Sequence, residues 1–320
     1  MSKFKYIVYL FFLGIISVNC KSGLSESDSN NAYLDELINA NPDSLTYNEL
    51  YDRAMSLWPV DFEGKNIQTK YGIAHVIISG PENGEPLVLL HGLNSSSTMW
   101  YPNIESLAKE YRVYAIDFLL EPSKSTRKDA LITMDNALEW YAIVFDQLNL
   151  DQFALVGMSR GGWNAVSIAL EMKDRITKLA LLSPAKTFTM IDPSLDLGKN
   201  ISYTLTPERD ELREVLQTMT NNVDKIEQLY IDQYYRATTM WKVDELFLTM
   251  QPYNLFEWRK LKMPILLLIG DDDMINSERS IRQAKRKIKN LTTGIIPKSG
   301  HFLTMDQPAI VNDYLLDFLK

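Results

Sequence analysis

The sequence predicts an α/β domain built on a mostly parallel sheet with helices on both faces. Two observations support this fold class. Short apolar strands alternate with helical segments from residue 65 onward, and several of these strands are apolar on both faces, as buried parallel strands are. With 320 residues, of which 46% are hydrophobic and 23% charged, the chain is long enough to bury one large core.

The elements before residue 183 follow from periodicity. Apolar and acidic residues at helical spacing predict one or two helices within 30–61, with Asp43 or Ser44 as the N-cap of the second. A strand hairpin split at Gly72 comes next. The expected strands are 67–71, 73–78, 86–90, 112–116, 153–156 and 178–182, and the expected helices are 99–110, 131–148 and 162–172.

The alternation breaks between Pro184 and Trp258, where helical stretches such as 208–219 and 223–235 replace strands. We interpret residues 184–258 as a helical cap insertion in the same domain. Strands and helices then alternate again to the end of the chain. The expected elements are strand 265–269, helix 277–288, strand 293–296 and helix 307–319.

Composition excludes several classes of function. The net charge of −8 and the pI near 5.1 argue against a nucleic-acid partner, and we interpret the basic cluster within 281–290 as the solvated face of a helix. A single cysteine cannot form an intramolecular disulfide. Because the three histidines are dispersed, we expect no metal site, and no cofactor-binding loop is visible.

The first residues have the plan of a secretory signal. Lys3 and Lys5 precede the uncharged apolar run 6–18, which is too short to span a bilayer, and Cys20 follows it. This arrangement resembles a bacterial lipoprotein signal, although Asn19 stands where a small residue is usual.

The resemblance implies that Cys20 is lipidated and that the protein is exported and anchored to a membrane, with plain secretion and a retained anchor as alternatives. The expected organisation is a signal peptide at 1–20, a polar tether at 21–31 and one domain at 32–320.

The most informative stretch is the apolar run 153–156 followed by Gly157–Gly161, with Ser159 at its centre. It predicts a strand that turns sharply into a helix and exposes Ser159 at the edge of the sheet. Gly-x-Ser-x-Gly alone arises by chance in roughly one chain of this length in ten, so its context must decide its meaning.

The context is a set of polar residues that directly follow other strands. Ligands bind at the carboxyl edge of a parallel sheet, where Ser159, the aspartates 271–273 and His301 are expected to meet. A serine hydroxyl needs a base to attack a carbonyl. His75 is mid-strand and His91 precedes Gly92 as a loop brace, so His301 is the predicted base.

Four motifs in this order resemble the α/β-hydrolase family from about Lys65 to the end of the chain. They are His91-Gly92, Gly157–Gly161, Gly270–Asp273 and Ser299–His301. The resemblance implies an eight-stranded sheet, and it implies no cofactor.

The same resemblance assigns the remaining site residues. From the residues alone, the three aspartates compete to orient the histidine; the family pattern, with the acid three residues after Gly270, selects Asp273 and leaves Asp271 and Asp272 as turn formers. The backbone amides of Leu93 and Arg160 match the positions of the oxyanion hole. The Arg160 side chain is interpreted as exposed or salt-bridged.

A narrower resemblance comes from residues 117–125, which lack the glycine-rich turn of many relatives, and from Leu182–Ala185. Both are similar to the bacterial naproxen-esterase-type carboxylesterases, which implies hydrolysis of a small-molecule carboxylic ester. Asp117 is interpreted as a loop-stabilising residue.

The sequence leaves several alternatives open. Lipase, thioesterase, lactonase, amidase and peptidase activities use the same residues, and a surface lipoprotein that keeps the fold as a binding module is the non-catalytic alternative. The oligomeric state is also open. Candidate residues for lining an acyl pocket are Met240, Trp241, Phe247, Tyr253 and Phe256, and the alternative for each is simple packing within the helical cap.

Overall fold

The computed structural model describes residues 26–128, 133–240 and 245–320. The predicted signal peptide with Cys20 lies outside these residues, and so does Trp241 of the predicted pocket. Within the three described ranges, no helix has both the length and the apolar character needed to cross a bilayer.

The core of the protein is one sheet with the strand order β1-β2-β4-β3-β6-β7-β8-β9, to which the two-residue β5 adds by pairing with β2. From β4 to β9 along this order every pair is parallel, whereas β2 is antiparallel to β1, β4 and β5. The strands are β1 (Phe62–Thr69), β2 (Gly72–Ser79), β3 (Glu85–Leu90), β4 (Tyr111–Ile116), β5 (Thr126–Arg127), β6 (Phe153–Met158), β7 (Ile176–Leu182), β8 (Ile265–Gly270) and β9 (Leu291–Ile296). The predicted mostly parallel sheet is confirmed, with β5 as an addition.

Both faces of the sheet are buried. In β3, Leu87 and Leu89 belong to one apolar cluster, while Val88 and Leu90 belong to a second cluster on the opposite face. Successive side chains of a strand point to opposite faces, so a strand buried on both sides needs an unbroken apolar sequence. This explains why the central strands read as continuous apolar runs.

Helices supply both layers, as predicted. Helices α4, α5 and α11 contribute to one cluster, and α2, α3, α8 and α13 contribute to the other. The helices are α1 (Glu26–Asn39), α2 (Tyr47–Met55), α3 (Ile104–Leu107), α4 (Met134–Gln147), α5 (Arg160–Glu171), α6 (Leu195–Leu205), α7 (Arg209–Gln217), α8 (Gln228–Met240), α9 (Glu245–Thr249), α10 (Leu255–Lys260), α11 (Glu278–Lys287), α12 (Leu303–Asp306) and α13 (Pro308–Leu319). Helices α6 to α10 all lie between β7 and β8, and the segment 184–258 that was interpreted as an insertion ends within α10.

The N-terminal helices differ from expectation in two respects. Helix α1 begins at Glu26, so residues 26–31 of the expected tether are helical. The N-cap of α2 is Thr46, which forms a capping box with Glu49, and the predicted caps Asp43 and Ser44 were wrong. They belong to a separate 3₁₀ turn, Pro42–Ser44, because Leu45 is extended and the helix starts only after it.

The hairpin turn was also misplaced. Gly72 does not divide the hairpin; it is the first residue of β2, and Lys70 and Tyr71 form the turn. A Cβ atom on Gly72 would lie 1.9 Å from the Thr126 carbonyl oxygen, so the approach of β5 requires the glycine.

A third correction concerns the predicted helix 99–110. The structure has a 3₁₀ turn at Ser97–Trp100 and the single helical turn of α3. Pro102 lies between them, and a proline has no N–H group to continue a helical hydrogen-bond ladder.

Polar contacts join the N-terminal segment to α8. Arg53 of α2 forms a buried ion pair with Asp232 (3.3 Å), and Gln233 donates from Nε2 to the Tyr47 hydroxyl (3.1 Å). At the start of α7, Arg209 pairs with Asp43 at 2.6 Å. Helix α8 is therefore fixed to a segment that precedes the sheet in sequence.

Candidate active site

The turn from β6 into α5 holds Ser159 in a conformation that few non-glycine residues adopt (φ 52°, ψ −118°). The two flanking glycines are required because backbone atoms approach them too closely for a side chain. A Cβ atom on Gly157 would lie 2.3 Å from the Gly161 carbonyl oxygen, and one on Gly161 would lie 2.4 Å from the Leu90 carbonyl oxygen. Strained residues of this kind are concentrated at functional sites.

Ser159, His301 and Asp273 form a hydrogen-bonded chain. The Ser159 hydroxyl lies 2.9 Å from His301 Nε2, and His301 Nδ1 lies 3.0 Å from Asp273 Oδ1. All three side chains are buried. If Nδ1 carries the proton, it donates to the carboxylate while Nε2 accepts from the serine, which satisfies both contacts with a neutral histidine.

The Asp273 carboxylate is itself held in place by neighbouring donors. The Ile275 backbone N–H donates to Oδ1 (2.9 Å), and the Asn276 amide group donates to Oδ2 (3.1 Å). These contacts fix the carboxylate orientation and thereby the plane of the His301 ring.

The other two aspartates of the run lie elsewhere. Asp271 is exposed and accepts from the backbone amides of Lys298 and Ser299, both at 2.9 Å. These hydrogen bonds, led by the one from Ser299, lower the Asp271 pKa. Asp272 is exposed and donates its backbone N–H to the Ser299 carbonyl oxygen (3.0 Å). Both residues therefore shape the loop that carries His301.

The remaining histidines make structural contacts. His91 Nδ1 lies 2.9 Å from the Gly92 carbonyl oxygen, and its Nε2 accepts from the Phe118 backbone N–H at 2.8 Å. Burial lowers the His91 pKa, which favours the neutral ring that these two contacts require. His75 lies within β2 and contacts Asn66 through Nδ1 (2.7 Å).

Asp117 stabilises the loops around these residues. Its two carboxylate oxygens accept from the backbone amides of Ser97 (2.8 Å) and Lys124 (3.1 Å). The loop-stabilising interpretation of Asp117 agrees with these contacts.

The predicted oxyanion-hole residues both line the cavity that contains Ser159. Arg160 is the first residue of α5, and the first amides of a helix have no acceptor within the helix. Leu93 follows Gly92. A Cβ atom added to Gly92 would lie 3.9 Å from the Ser159 hydroxyl oxygen. Both backbone segments thus approach the serine.

A buried carboxylate that the sequence analysis did not single out lies beside these segments. Glu121 accepts from the Asn94 backbone N–H through Oε2 (2.9 Å) and from Arg160 Nη1 through Oε1 (2.5 Å). The Arg160 side chain is therefore buried and salt-bridged, one of its two expected states. The sequence signal that could have drawn attention to Glu121 is the unusual stretch 117–125, in which this glutamate follows three apolar residues.

The cavity above Ser159 has a volume of about 310 Å³ and a mainly apolar lining. Besides the chain around Ser159, residues of α6, α8 and α9 form its walls. Examples are Leu197, Ile201, Leu205, Tyr230, Tyr234, Phe247 and Leu248. A cavity of this size and polarity fits a small apolar ligand, since small-molecule sites measure roughly 300–1,000 Å³.

Of the predicted pocket residues within the described ranges, Phe247 lines this cavity. The other three candidates do not line it. Tyr253 packs on the Trp163 ring (5.4 Å) and donates to the Trp163 carbonyl oxygen, while Met240 and Phe256 are exposed to solvent. Helical spacing identifies an apolar face but does not tell whether that face meets a cavity, the core or water.

Among the described residues, no three His, Cys, Asp or Glu side chains are grouped to hold a metal ion. The groups that meet at the site are a hydroxyl, an imidazole and a carboxylate, with the backbone segments of Leu93 and Arg160 beside them.

Comparison with known proteins agrees with the geometry. A family model described as the alpha/beta hydrolase fold matches residues 85–308. The chain belongs to the α/β-hydrolase family. It is 32% identical to the uncharacterized carboxylesterase nap of Bacillus subtilis (strain 168), over 86% of this chain and 93% of that protein. It is 30% identical to the carboxylesterase YbfK of the same organism, over 86% of this chain and 94% of that protein.

The fold of this α/β hydrolase is also that of a solved esterase. The crystal structure of naproxen esterase from Bacillus subtilis superimposes with a TM-score of 0.80 at 29% identity, covering 93% of this chain and all of that one. The resemblance to the naproxen-esterase-type carboxylesterases is therefore confirmed.

Proposed function

We propose that this α/β hydrolase is a serine carboxylesterase that cleaves small-molecule carboxylic esters through an acyl-enzyme intermediate. The observation that carries the proposal is the hydrogen-bonded chain from Ser159 through His301 to Asp273, which opens into an apolar cavity. The carboxylesterase relatives support the choice of ester over other acyl substrates.

The proposed mechanism uses the contacts of Ser159, His301 and Asp273. His301 Nε2 removes the Ser159 proton as the hydroxyl oxygen attacks the ester carbonyl, and Asp273 stabilises the imidazolium that forms. The protonated His301 then donates this proton to the leaving alcohol, which leaves an acyl group on Ser159. Water, activated by His301, releases the acid and restores the serine.

The negative charge that develops on the carbonyl oxygen requires donors already in position. We assign this role to the backbone amides of Leu93 and Arg160, each contributing about 2.7–4 kcal/mol to transition-state stabilisation. The acyl or alcohol portion of the ester then occupies the cavity between these amides and α6.

A fluorophosphonate probe tests the proposal directly. The wild type should be labelled and should hydrolyse nitrophenyl esters, whereas Ser159→Ala should do neither while its circular dichroism is unchanged. A wild type that is neither labelled nor active would support the binding-module alternative. A panel of esters, thioesters, lactones and amides on the active protein separates the carboxylesterase from the other serine hydrolases.

We further propose that the protein is exported and anchored to a membrane through Cys20. The support is the sequence: two lysines, the apolar run 6–18 and a cysteine followed by polar residues. In a bacterial host, labelled palmitate should enter the wild type and not Cys20→Ser. Equal labelling of the two would contradict lipidation at this residue.

A further inference from the structure

The buried carboxylate of Glu121 joins two segments that are separate in sequence. One is the loop after β3, through the Asn94 backbone N–H at 2.9 Å, and the other is the start of α5, through Arg160 Nη1 at 2.5 Å. Both carboxylate oxygens are used, one for each segment. The Glu121 side chain is only 1% exposed, so water competes little for these contacts.

These two segments are the ones that carry the proposed oxyanion-hole amides. Asn94 directly follows Leu93 and has a left-handed backbone (φ 54°), so the direction of the loop changes at this residue. Arg160 carries the second amide on its own backbone. A shift of either segment moves a donor relative to the position of the oxyanion, and donors must lie within about 3 Å of it.

The carboxylate thus acts on both donors at once. The hydrogen bond to Asn94 restrains the loop, and the ion pair draws the Arg160 side chain toward that same loop. The Arg160 guanidinium also lies over the rings of Phe118 (5.1 Å) and Phe247 (5.9 Å), which keeps it in a dry environment where the ion pair is strong.

We infer that Glu121 is a positioning residue that sets the distance between the two amides of the oxyanion hole. The inference rests on the proposed function, because it gives a role to a group that supports the hydrolytic site without contacting the substrate. It predicts that loss of the carboxylate weakens stabilisation of the oxyanion more than it weakens binding of the ester.

The test compares each enzyme on an ester and on its thiono analogue, in which sulfur replaces the carbonyl oxygen. Sulfur accepts hydrogen bonds weakly, so the oxo-to-thiono ratio of kcat/KM reports on the amide donors and is independent of the fraction of folded enzyme. For Glu121→Ala we expect kcat to fall about 100-fold, KM to change less than about threefold, and the ratio to fall about tenfold or more.

Glu121→Gln provides a second variant that retains an acceptor for Asn94 and loses the charge. It should lie between the wild type and Glu121→Ala in both kcat and the oxo-to-thiono ratio, and it remains informative if the alanine variant is unstable. Asp232→Asn is the matched control, because it weakens another buried ion pair, on α8. Its ratio should equal that of the wild type.

The outcomes separate the two claims. An active wild type with an unchanged ratio in both Glu121 variants would overturn the positioning role and leave the carboxylesterase intact. A fall in the ratio that Asp232→Asn reproduces would also overturn it, because general loosening would then be the cause. A wild type that neither reacts with the fluorophosphonate nor hydrolyses esters would overturn the proposed function and this inference with it.

Discussion

Three consecutive aspartates follow β8, and their hydrogen bonds separate their roles. Asp271 is exposed and accepts from two backbone amides, whereas Asp273 is buried and contacts His301. The same type of side chain therefore stabilises a loop at position 271 and contacts an imidazole at position 273. What differs between the two is the environment, which the local sequence does not specify.

We expect Asp273→Asn to lower kcat by about 10⁴, because an amide neither stabilises the imidazolium nor holds the required tautomer. Asp271→Asn is the matched control: it removes the same charge two residues away and should cost about 1 kcal/mol of stability with little effect on kcat. Nitrophenyl-ester kinetics and urea unfolding measure the two effects. A greater loss of kcat in the control would mean that Asp271 is the catalytic acid.

The lowered pKa of His91 predicts that the stability of the protein depends on pH. In the unfolded chain a histidine has a pKa of about 6.5, whereas burial lowers the His91 pKa in the folded protein. Between these two values the unfolded chain binds more protons. The stabilisation is therefore complete above about pH 6.5 and is lost as the pH falls toward the folded pKa.

His91→Gln should reduce this dependence, since an amide of similar reach can accept from Phe118 and donate to Gly92 without titrating. Urea unfolding at about pH 7.5 and about pH 5 should show a smaller loss of stability in the variant than in the wild type. His75→Gln should be measured in parallel, because burial lowers that pKa too. Equal losses in His91→Gln and the wild type would contradict the assignment.

At the scale of elements, α6 forms part of the rim of the cavity with much of its apolar surface in water. Leu195, Ile201 and Leu205 are more than half exposed, and the last two line the cavity. The helix also contains a glycine, Gly198, in its interior. A Cβ atom there would meet nothing within 4 Å.

Gly198→Ala should therefore stabilise α6 by about 0.5–1 kcal/mol, since alanine loses less conformational entropy in a helix. Hydrogen exchange of the α6 amides should slow by about two- to fivefold. Gly157→Ala is the contrasting variant, because its Cβ atom would lie 2.3 Å from the Gly161 carbonyl oxygen, and it should lower the stability of the protein. Unchanged exchange in Gly198→Ala would contradict the prediction for α6.

Element by element, the sequence predicted best what depends on local pattern. The central strands are apolar over their whole length, so β3, β6 and β8 were placed to within two residues at either end. Two elements differ more: the predicted helix 99–110 is interrupted at Pro102, and the strand predicted at 67–71 is β1, which begins at Phe62.

The residues of the candidate site also differ in how well the sequence predicted them. Ser159, His301 and Asp273 follow strands in a recognisable order, and the structure brings them together. Glu121 went unnoticed because its partners, Asn94 and Arg160, come from two other parts of the chain. A pairing of that kind depends on how the sheet edge is assembled, and no spacing in the sequence encodes it.

At the scale of the molecule, the N-terminal segment and α8 are joined by a buried ion pair. Arg53 and Asp232 are each less than a tenth exposed, whereas the pair between Arg213 and Asp224 is more than half exposed. Removal of Arg53 leaves the buried Asp232 carboxylate with one cation among the described residues, Arg209 at 3.1 Å, whereas the exposed pair is solvated in either case.

We therefore expect Arg53→Met to lower the free energy of unfolding by about 2 kcal/mol and Arg213→Met to lower it by less than about 1 kcal/mol. Urea denaturation followed by tryptophan fluorescence measures both. Equal losses of unfolding free energy in the two variants would mean that the ion pair between Arg53 and Asp232 does not stabilise the contact of α2 with α8. Retention of esterase activity at low temperature in Arg53→Met would show that the pair acts on stability and not on chemistry.

The attachment of α8 to α2 also determines which segments must be exchanged together in a chimaera of this protein and a relative. Tyr230 and Tyr234 of α8 line the cavity, while Asp232 and Gln233 of the same helix contact α2. A chimaera that exchanges only the residues between β7 and β8 would bring a foreign α8 to the native α2 and break those contacts. Transfer of substrate preference between relatives therefore requires the exchange of two segments, α2 before β1 and the helices between β7 and β8.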